Sequence, residues 1–193
     1  MHRNALFALV AGGAIAAPAL AMPMTVADLG VLTGDTQVII DIDVNEVAWV
    51  SFTLPQDASG STYLDLNTNG SGIDTEIGVY DSAGARVAND DDDGIGVSST
   101  LTFGSGSGLE LGDFFNLDNG FALGQDGDLS AGMYFVALGE FNVDFNPTNF
   151  DVVSDGFDDG GRIILDIYTN VPAPSAAGVL GLAGVAAVRR RRR

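Results

Sequence analysis

Between Thr36 and Tyr168 the apolar residues recur at every second position, and no stretch carries the three-and-four spacing of an amphipathic helix. Gln37–Asp43 sets Val38, Ile40 and Ile42 on one face. Ala48–Leu54 sets Ala48, Val50, Phe52 and Leu54 against Trp49, Ser51 and Thr53, and Pro55 stops it because proline cannot donate to a ladder. Thr62–Leu66 points Leu64 and Leu66 inward, and Thr75–Tyr80 points Ile77 and Val79 inward against Glu76 and Gly78. Val97–Phe103 offers Leu101 and Phe103, with Thr100 and Thr102 outward. Met133–Phe141 offers Tyr134, Val136 and Leu138, and Arg162–Tyr168 offers Ile163, Leu165 and Ile167. Eight or nine short strands, each with one polar face and separated by Gly, Asn and Asp, predict an all-β fold. Its form is an antiparallel two-sheet β-sandwich, jelly-roll-like, within residues 22–170. Two stretches interrupt the pattern. Residues 104–130 are Gly-rich and irregular, an insertion whose Phe114, Phe115 and Phe121 would pack over a sheet edge or the core. Residues 142–161 read as a second acidic loop, with Asp144, Asp151, Asp155, Asp158 and Asp159.

The stretch from Asp74 to Leu101 concentrates the chemistry. Asp81-Ser82-Ala83-Gly84 is a tight-turn sequence, since Asp bonds its own backbone and Gly takes positive φ. It joins Thr75–Tyr80 to Ala85–Ala88 as a hairpin, with Val87 expected to point in. Asn89-Asp90-Asp91-Asp92-Asp93-Gly94 follows. Carboxylates roughly 5 Å apart repel by about 3 kcal/mol per pair at an effective dielectric near 20. Such a run is splayed into water as a solvated loop, partly protonated, or bridged by a cation, and Ca²⁺ is the hard cation suited to oxygen ligands. The candidate metal ligands are Asp74, Asn89, Asp90, Asp91, Asp92 and Asp93. Asn89, Asp91, Asp93 and Gly94 match positions one, three, five and six of an EF-hand loop, but position twelve is Thr100 and not the bidentate Glu that loop needs. A site here would therefore draw ligands from several loops.

Charge and composition exclude several classes. Residues 22–188 hold 26 acidic side chains against Arg86 and Arg162, a net charge of −24. That balance rejects nucleic acid as a partner. There is no Cys, and the only His is His2. A body without imidazole or thiol has no Ser–His couple, no thiolate nucleophile and no His-bound zinc, so the expectation is a non-enzyme. A carboxylate-pair hydrolase is the catalytic class left open, though 26 acids do not select a pair. Trp49, Tyr63, Tyr80 and Tyr134 are either core residues or an exposed platform for sugar rings, the latter making a carbohydrate-binding module.

Both ends read as addresses. Residues 1–21 carry Arg3, an apolar run Ala5–Ala17, and Ala19-Leu20-Ala21 as an A-x-A site for signal peptidase, in the order of an export signal with a hydrophobic helix. At the other end, Val171-Pro172-Ala173-Pro174-Ser175 breaks structure, Ala176–Val188 is an uncharged hydrophobic segment, and Arg189, Arg190, Arg191, Arg192 and Arg193 follow. The arginines would stay on the cytoplasmic side of a membrane. This order, Pro-x-Pro, short hydrophobic helix and Arg cluster, resembles the PEP-CTERM sorting signal of Gram-negative bacteria over residues 171–193, with Ala173 where that motif has Glu. The resemblance implies transient membrane anchoring, cutting near Pro172–Ser175 by an exosortase-type membrane protease, and delivery to the cell surface or exopolysaccharide matrix.

A second resemblance covers residues 36–141. The order is Trp49-x-x-Phe52, then Asp74-Thr75-x-Ile77-x-Val79-Tyr80-Asp81, Gly84, Val87-Ala88-Asn89-Asp90-Asp91, Ser99-x-Leu101 and Ala131-Gly132-x-Tyr134-x-Val136. It is similar to the bacterial pre-peptidase C-terminal domain family, secreted β-sandwiches that are generally non-catalytic, some binding Ca²⁺ through acidic loops. The resemblance implies a non-catalytic accessory domain; with the charge and the C-terminal address, the expectation is a structural or adhesive module with Ca²⁺-stabilised loops and exopolysaccharide as a partner.

Overall fold

The computed structural model describes residues 21–105, 126–155 and 160–173. The expectations for the signal helix with Ala19, for most of 104–130, for the hydrophobic C-terminal helix, and for Pro174 and Arg189–Arg193 lie outside the described residues.

The described chain is all-β and folds as two packed sheets. The strands are β1 (Ala27–Val31), β2 (Thr36–Ile42), β3 (Ala48–Leu54), β4 (Tyr63–Asn67), β5 (Thr75–Asp81), β6 (Arg86–Asp90), β7 (Thr100–Gly104), β8 (Gly132–Glu140), β9 (Val143–Phe145), β10 (Val152–Ser154) and β11 (Gly161–Thr169). One sheet has the order β1-β3-β8-β5-β6 and the facing sheet β2-β11-β4-β7. Pairing is antiparallel throughout both, except that β1 runs parallel to β3. The predicted inward residues meet between the sheets. Val50, Phe52, Ile77, Val79, Val136 and Leu138 come from the first sheet, and Leu64, Leu66, Leu101, Phe103, Ile163 and Leu165 from the second.

Four expectations change. Val87 is 41% exposed, because Val79 pairs with Ala88 before the register slips at Tyr80, so Ala88 takes the inward position. Residues 142–161 are not merely a loop: β9 and β10 form a small antiparallel hairpin there. Thr100 and Thr102 lie on the outer face of β7 yet are buried. The chain also begins pairing earlier than Thr36, through β1.

The β9–β10 hairpin folds over the outer face of the first sheet and makes a second apolar cluster with Tyr80, Phe135 and Ala137. Trp49, Tyr80 and Phe135 surround Phe150, with ring centroids 5.1–5.9 Å from it. Tyr80 fixes the hairpin by donating its hydroxyl to the Asn146 carbonyl at 2.9 Å, and the Arg86 guanidinium donates to the Phe145 carbonyl. The hairpin lies so close that a Cβ on Gly78 would sit 2.4 Å from the Phe145 ring, which is why that strand position has no side chain.

Candidate metal centre

Asp74 lies in the β4–β5 loop and Asp91–Asp93 in the β6–β7 loop, both at the end of β5 away from its turn into β6. The β5–β6 turn forms as its sequence predicts, with Asp81 Oδ1 accepting from the Ala83 and Ala85 amides at 2.8 and 2.9 Å and Gly84 at φ +77°. Beyond β6, the segment Asp91–Ser99 is stitched to the β4–β5 loop. Thr68 N donates to Ser99 O at 3.0 Å, Ser99 N to Thr68 Oγ1 at 2.8 Å, Ile95 N to Asn69 Oδ1 at 2.8 Å, and Thr75 N to Val97 O at 3.1 Å. Gly94 closes the aspartate turn through its amide to Ser98 O at 2.7 Å, and a Cβ there would meet that same carbonyl at 2.4 Å.

This stitching brings Asp74, from the β4–β5 loop, beside Asp91 and Asp92. One carboxylate oxygen of each lies within 4.8 Å of the other two. Oxygens sharing one Ca²⁺ at 2.3–2.6 Å are separated by up to about 5 Å, so the three fit one ion. Asp91 Oδ1 is buried and accepts no hydrogen bond, the state of an oxygen that a cation would satisfy. Asp91 is held above the usual carboxylate range by burial and then by the charge of Asp92.

The other predicted ligands are placed differently. Asp90 lies opposite Ile77, so it points inward, and its Oδ2 accepts the Thr100 amide at 2.7 Å and the Asp93 amide at 3.1 Å. Burial raises its pKa. Asp90 is thus the loop's internal cap, and Asp93 contributes its amide to that cap. Asn89 is exposed opposite Gly78.

Two acids that sequence reasoning passed over matter here. Glu76 is 5% exposed under the β9–β10 hairpin, where Oε2 accepts the Val143 amide at 2.9 Å. Burial, followed by the charge of Asp91, pushes its pKa up to about 8. Alternation assigned it to a polar face, and nothing local announces that a hairpin covers that face. Glu140 follows Tyr134, Val136 and Leu138 in parity, so the signal of an inward acid at the end of β8 was present in the sequence. It is 2% exposed.

Of the four aromatics offered as a sugar platform, Tyr80 is fully buried under the hairpin and Tyr134 sits in the inter-sheet core, its ring 5.8 Å from that of Phe52 and tilted by 35°. Trp49 packs against Phe150 and Tyr80. Tyr63 is half-buried on β4, in the sheet opposite the other three, so the four residues share no exposed patch.

No protein-family profile and no curated protein matches the chain. Among solved structures it is similar to the pre-peptidase C-terminal domain of collagenase from Bacillus anthracis, with a TM-score of 0.41 and 9% identity, covering 78% of this chain and 100% of that one. It is likewise similar to Aeromonas hydrophila PliG, a periplasmic inhibitor of g-type lysozyme, with a TM-score of 0.40 and 8% identity, covering 76% and 98%. Neither likeness assigns a family or an activity.

Proposed function

We propose that this protein is an exported, non-catalytic β-sandwich that works structurally or adhesively at the cell surface or in an exopolysaccharide matrix, with its acidic loops held together by Ca²⁺. The observation that carries the reading is the convergence of Asp74, Asp91 and Asp92 from two loops, with the buried Asp91 Oδ1 lacking a donor. Three carboxylates supply part of the six to eight oxygens Ca²⁺ takes, leaving places for water or main-chain carbonyls. The ion would supply no reaction chemistry. It would neutralise repulsion and lock the β4–β5 loop to the aspartate loop.

The chain's exit from the sandwich supports the sorting part of the reading. Asn170 accepts the Tyr63 amide at 2.8 Å and donates to the Ser61 carbonyl at 3.0 Å, and Val171 is buried in the core. Pro172 and Ala173 are exposed. Pro172 and Ala173 open the Pro172–Ser175 stretch where cutting is proposed, and a cut beyond the buried Val171 would leave the folded body whole.

Calcium titration of the folded protein tests the reading. At 100 times its dissociation constant Ca²⁺ adds about 2.7 kcal/mol, or about 5–10 °C in Tm for a body this size. Asp91→Ala should abolish the shift while melting cooperatively. A wild type whose Tm ignores millimolar Ca²⁺ would leave the aspartates as solvated charge. For sorting, mass spectrometry of the protein recovered from the cell surface should find a C-terminus between residues 172 and 175.

A further inference from the structure

The two large sheets end on four edge strands, and three of these are broken or covered. β1 is interrupted by Gly30 at φ +62° and a register shift between Asp28 and Val31. β6 shifts register beside Tyr80, and its Arg86 amide donates to the Pro147 carbonyl. β7 is covered by the returning chain, with Asp126 N donating to Thr102 O at 3.0 Å and Gly104 N to Gly127 O at 2.8 Å. β2 has none of this protection. It pairs with β11 from Thr36 to Ile42 without a shift and holds no Pro, Gly or Lys. A long, regular, largely uncharged edge invites pairing with another chain. The hydrogen bonds of β11 show which β2 groups are open. Arg162 O accepts the Gly72 amide at 3.2 Å and Ile164 N donates to Ser71 Oγ at 3.0 Å, both on the side of β4. The alternate residues Ile163 and Leu165 therefore face β2 and bond their partners Ile40 and Val38. Gln37, Ile39 and Asp41 turn their N–H and C=O groups outward, where no strand meets them among the described residues.

We propose that two copies of this chain pair edge to edge through β2, antiparallel about a two-fold axis at Ile39, so that the two four-stranded sheets become one. The edge is complementary to itself in that register. Ile39 meets its counterpart and Gln37 meets the Asp41 of the other copy, so each outward N–H of one copy finds an outward C=O of the other. Ile39 is 57% exposed beside the half-buried Ile164, and the axis joins these residues and their counterparts into one apolar strip. Gln37 Nε2 donates to Asp166 Oδ1 at 2.7 Å, and its second N–H serves the other copy's Asp41. Asp41, the one charged side chain of β2, is held by Arg162 of its own copy at 2.9 Å. No carboxylate is set directly against another across the seam.

The test is sedimentation equilibrium of the full chain in 150 mM NaCl, with a chelator present so that no divalent ion bridges two acidic surfaces. The mass should rise from one copy to two as the protein is concentrated from the low to the high micromolar range. Added NaCl should strengthen the pairing, because screening relieves repulsion between two bodies that each carry −24 over residues 22–188. Ile39→Pro removes an N–H that bonds nothing within its own copy and keeps an apolar side chain, so it should abolish pairing while the monomer still melts cooperatively. Ile39→Lys lowers the net repulsion between copies yet sets two ammonium groups together at the axis, and should weaken pairing at least tenfold even if Ile39→Pro fails to fold. Gln37→Lys faces the other copy's Asp41 and should tighten it. Association through the apolar ends of the chain, or through the outer face alone, would survive Ile39→Pro. A mass that stays at one copy, or pairing that Ile39→Pro or Ile39→Lys leaves at wild-type strength, overturns the proposal.

Discussion

At the scale of single residues, Glu76 shows how a fold changes what a side chain means. In the sequence it is the polar partner of Ile77 in an alternating strand. In the structure it is covered, bonded to the Val143 amide and surrounded by the charges of Asp91, Asp74 and Asp144. Its pKa of about 8 has a consequence of definite sign. A carboxyl group whose folded pKa lies above its unfolded value of about 4.5 favours the protonated fold. Its contribution is greatest below the unfolded value, declines as pH rises towards 8, and levels off beyond. Each such group gives a slope of at most about 1.4 kcal/mol per pH unit. Asp90 and Asp91, both raised by burial, act in the same direction. Calcium-free protein should therefore lose stability between pH 5 and pH 8, measured by urea unfolding, and Glu76→Gln should remove a large part of that slope. Saturating Ca²⁺ should flatten the wild-type profile by favouring the ionised neighbours. A stability that rises from pH 5 to pH 8 without calcium would contradict the burial of these carboxyl groups.

Among elements, the long strands were legible because period-two alternation over five to nine residues fixes which face is buried. Phe52 faces Val136's side of the core and Leu165 faces Leu66's as the pattern required. The β9–β10 hairpin was not legible, since its strands are three residues long and read as acidic loop. Its partners, Trp49, Tyr80 and Phe135, gave mixed signals because they lie on the face that alternation assigns to water. The aspartate loop was legible as a cluster but not as a division of labour. Asp90's inward turn depends on the slip near Tyr80, and Asp74's approach depends on Thr68 and Ser99 clasping two loops together. The hairpin's docking can be tested alone, because Trp49 is the chain's single tryptophan. Phe150→Ala removes the ring that Trp49 meets edge-on at 5.9 Å. It should cost about 2–4 kcal/mol and shift Trp49 emission to the red in the folded state. Unchanged emission would mean that the hairpin does not rest on Trp49.

For the molecule as a whole, the decisive quantity is a charge of −24 over residues 22–188. Self-repulsion on that scale destabilises any compact state, and simple salt relieves it by screening. Added NaCl from 10 to 500 mM should therefore raise the Tm of calcium-free protein, and should do so equally in Asp91→Ala, since screening does not depend on one carboxylate. Calcium must then be separated from this general effect. In 150 mM NaCl, 1 mM CaCl₂ changes the ionic strength by only about 3 mM and leaves the screening length near 8 Å. Any further rise in Tm at that concentration comes from a bound ion, and it should appear in the wild type and vanish in Asp91→Ala. If both proteins respond alike to 1 mM calcium, the ion acts on the acidic surface at large and the three converging aspartates are not its site.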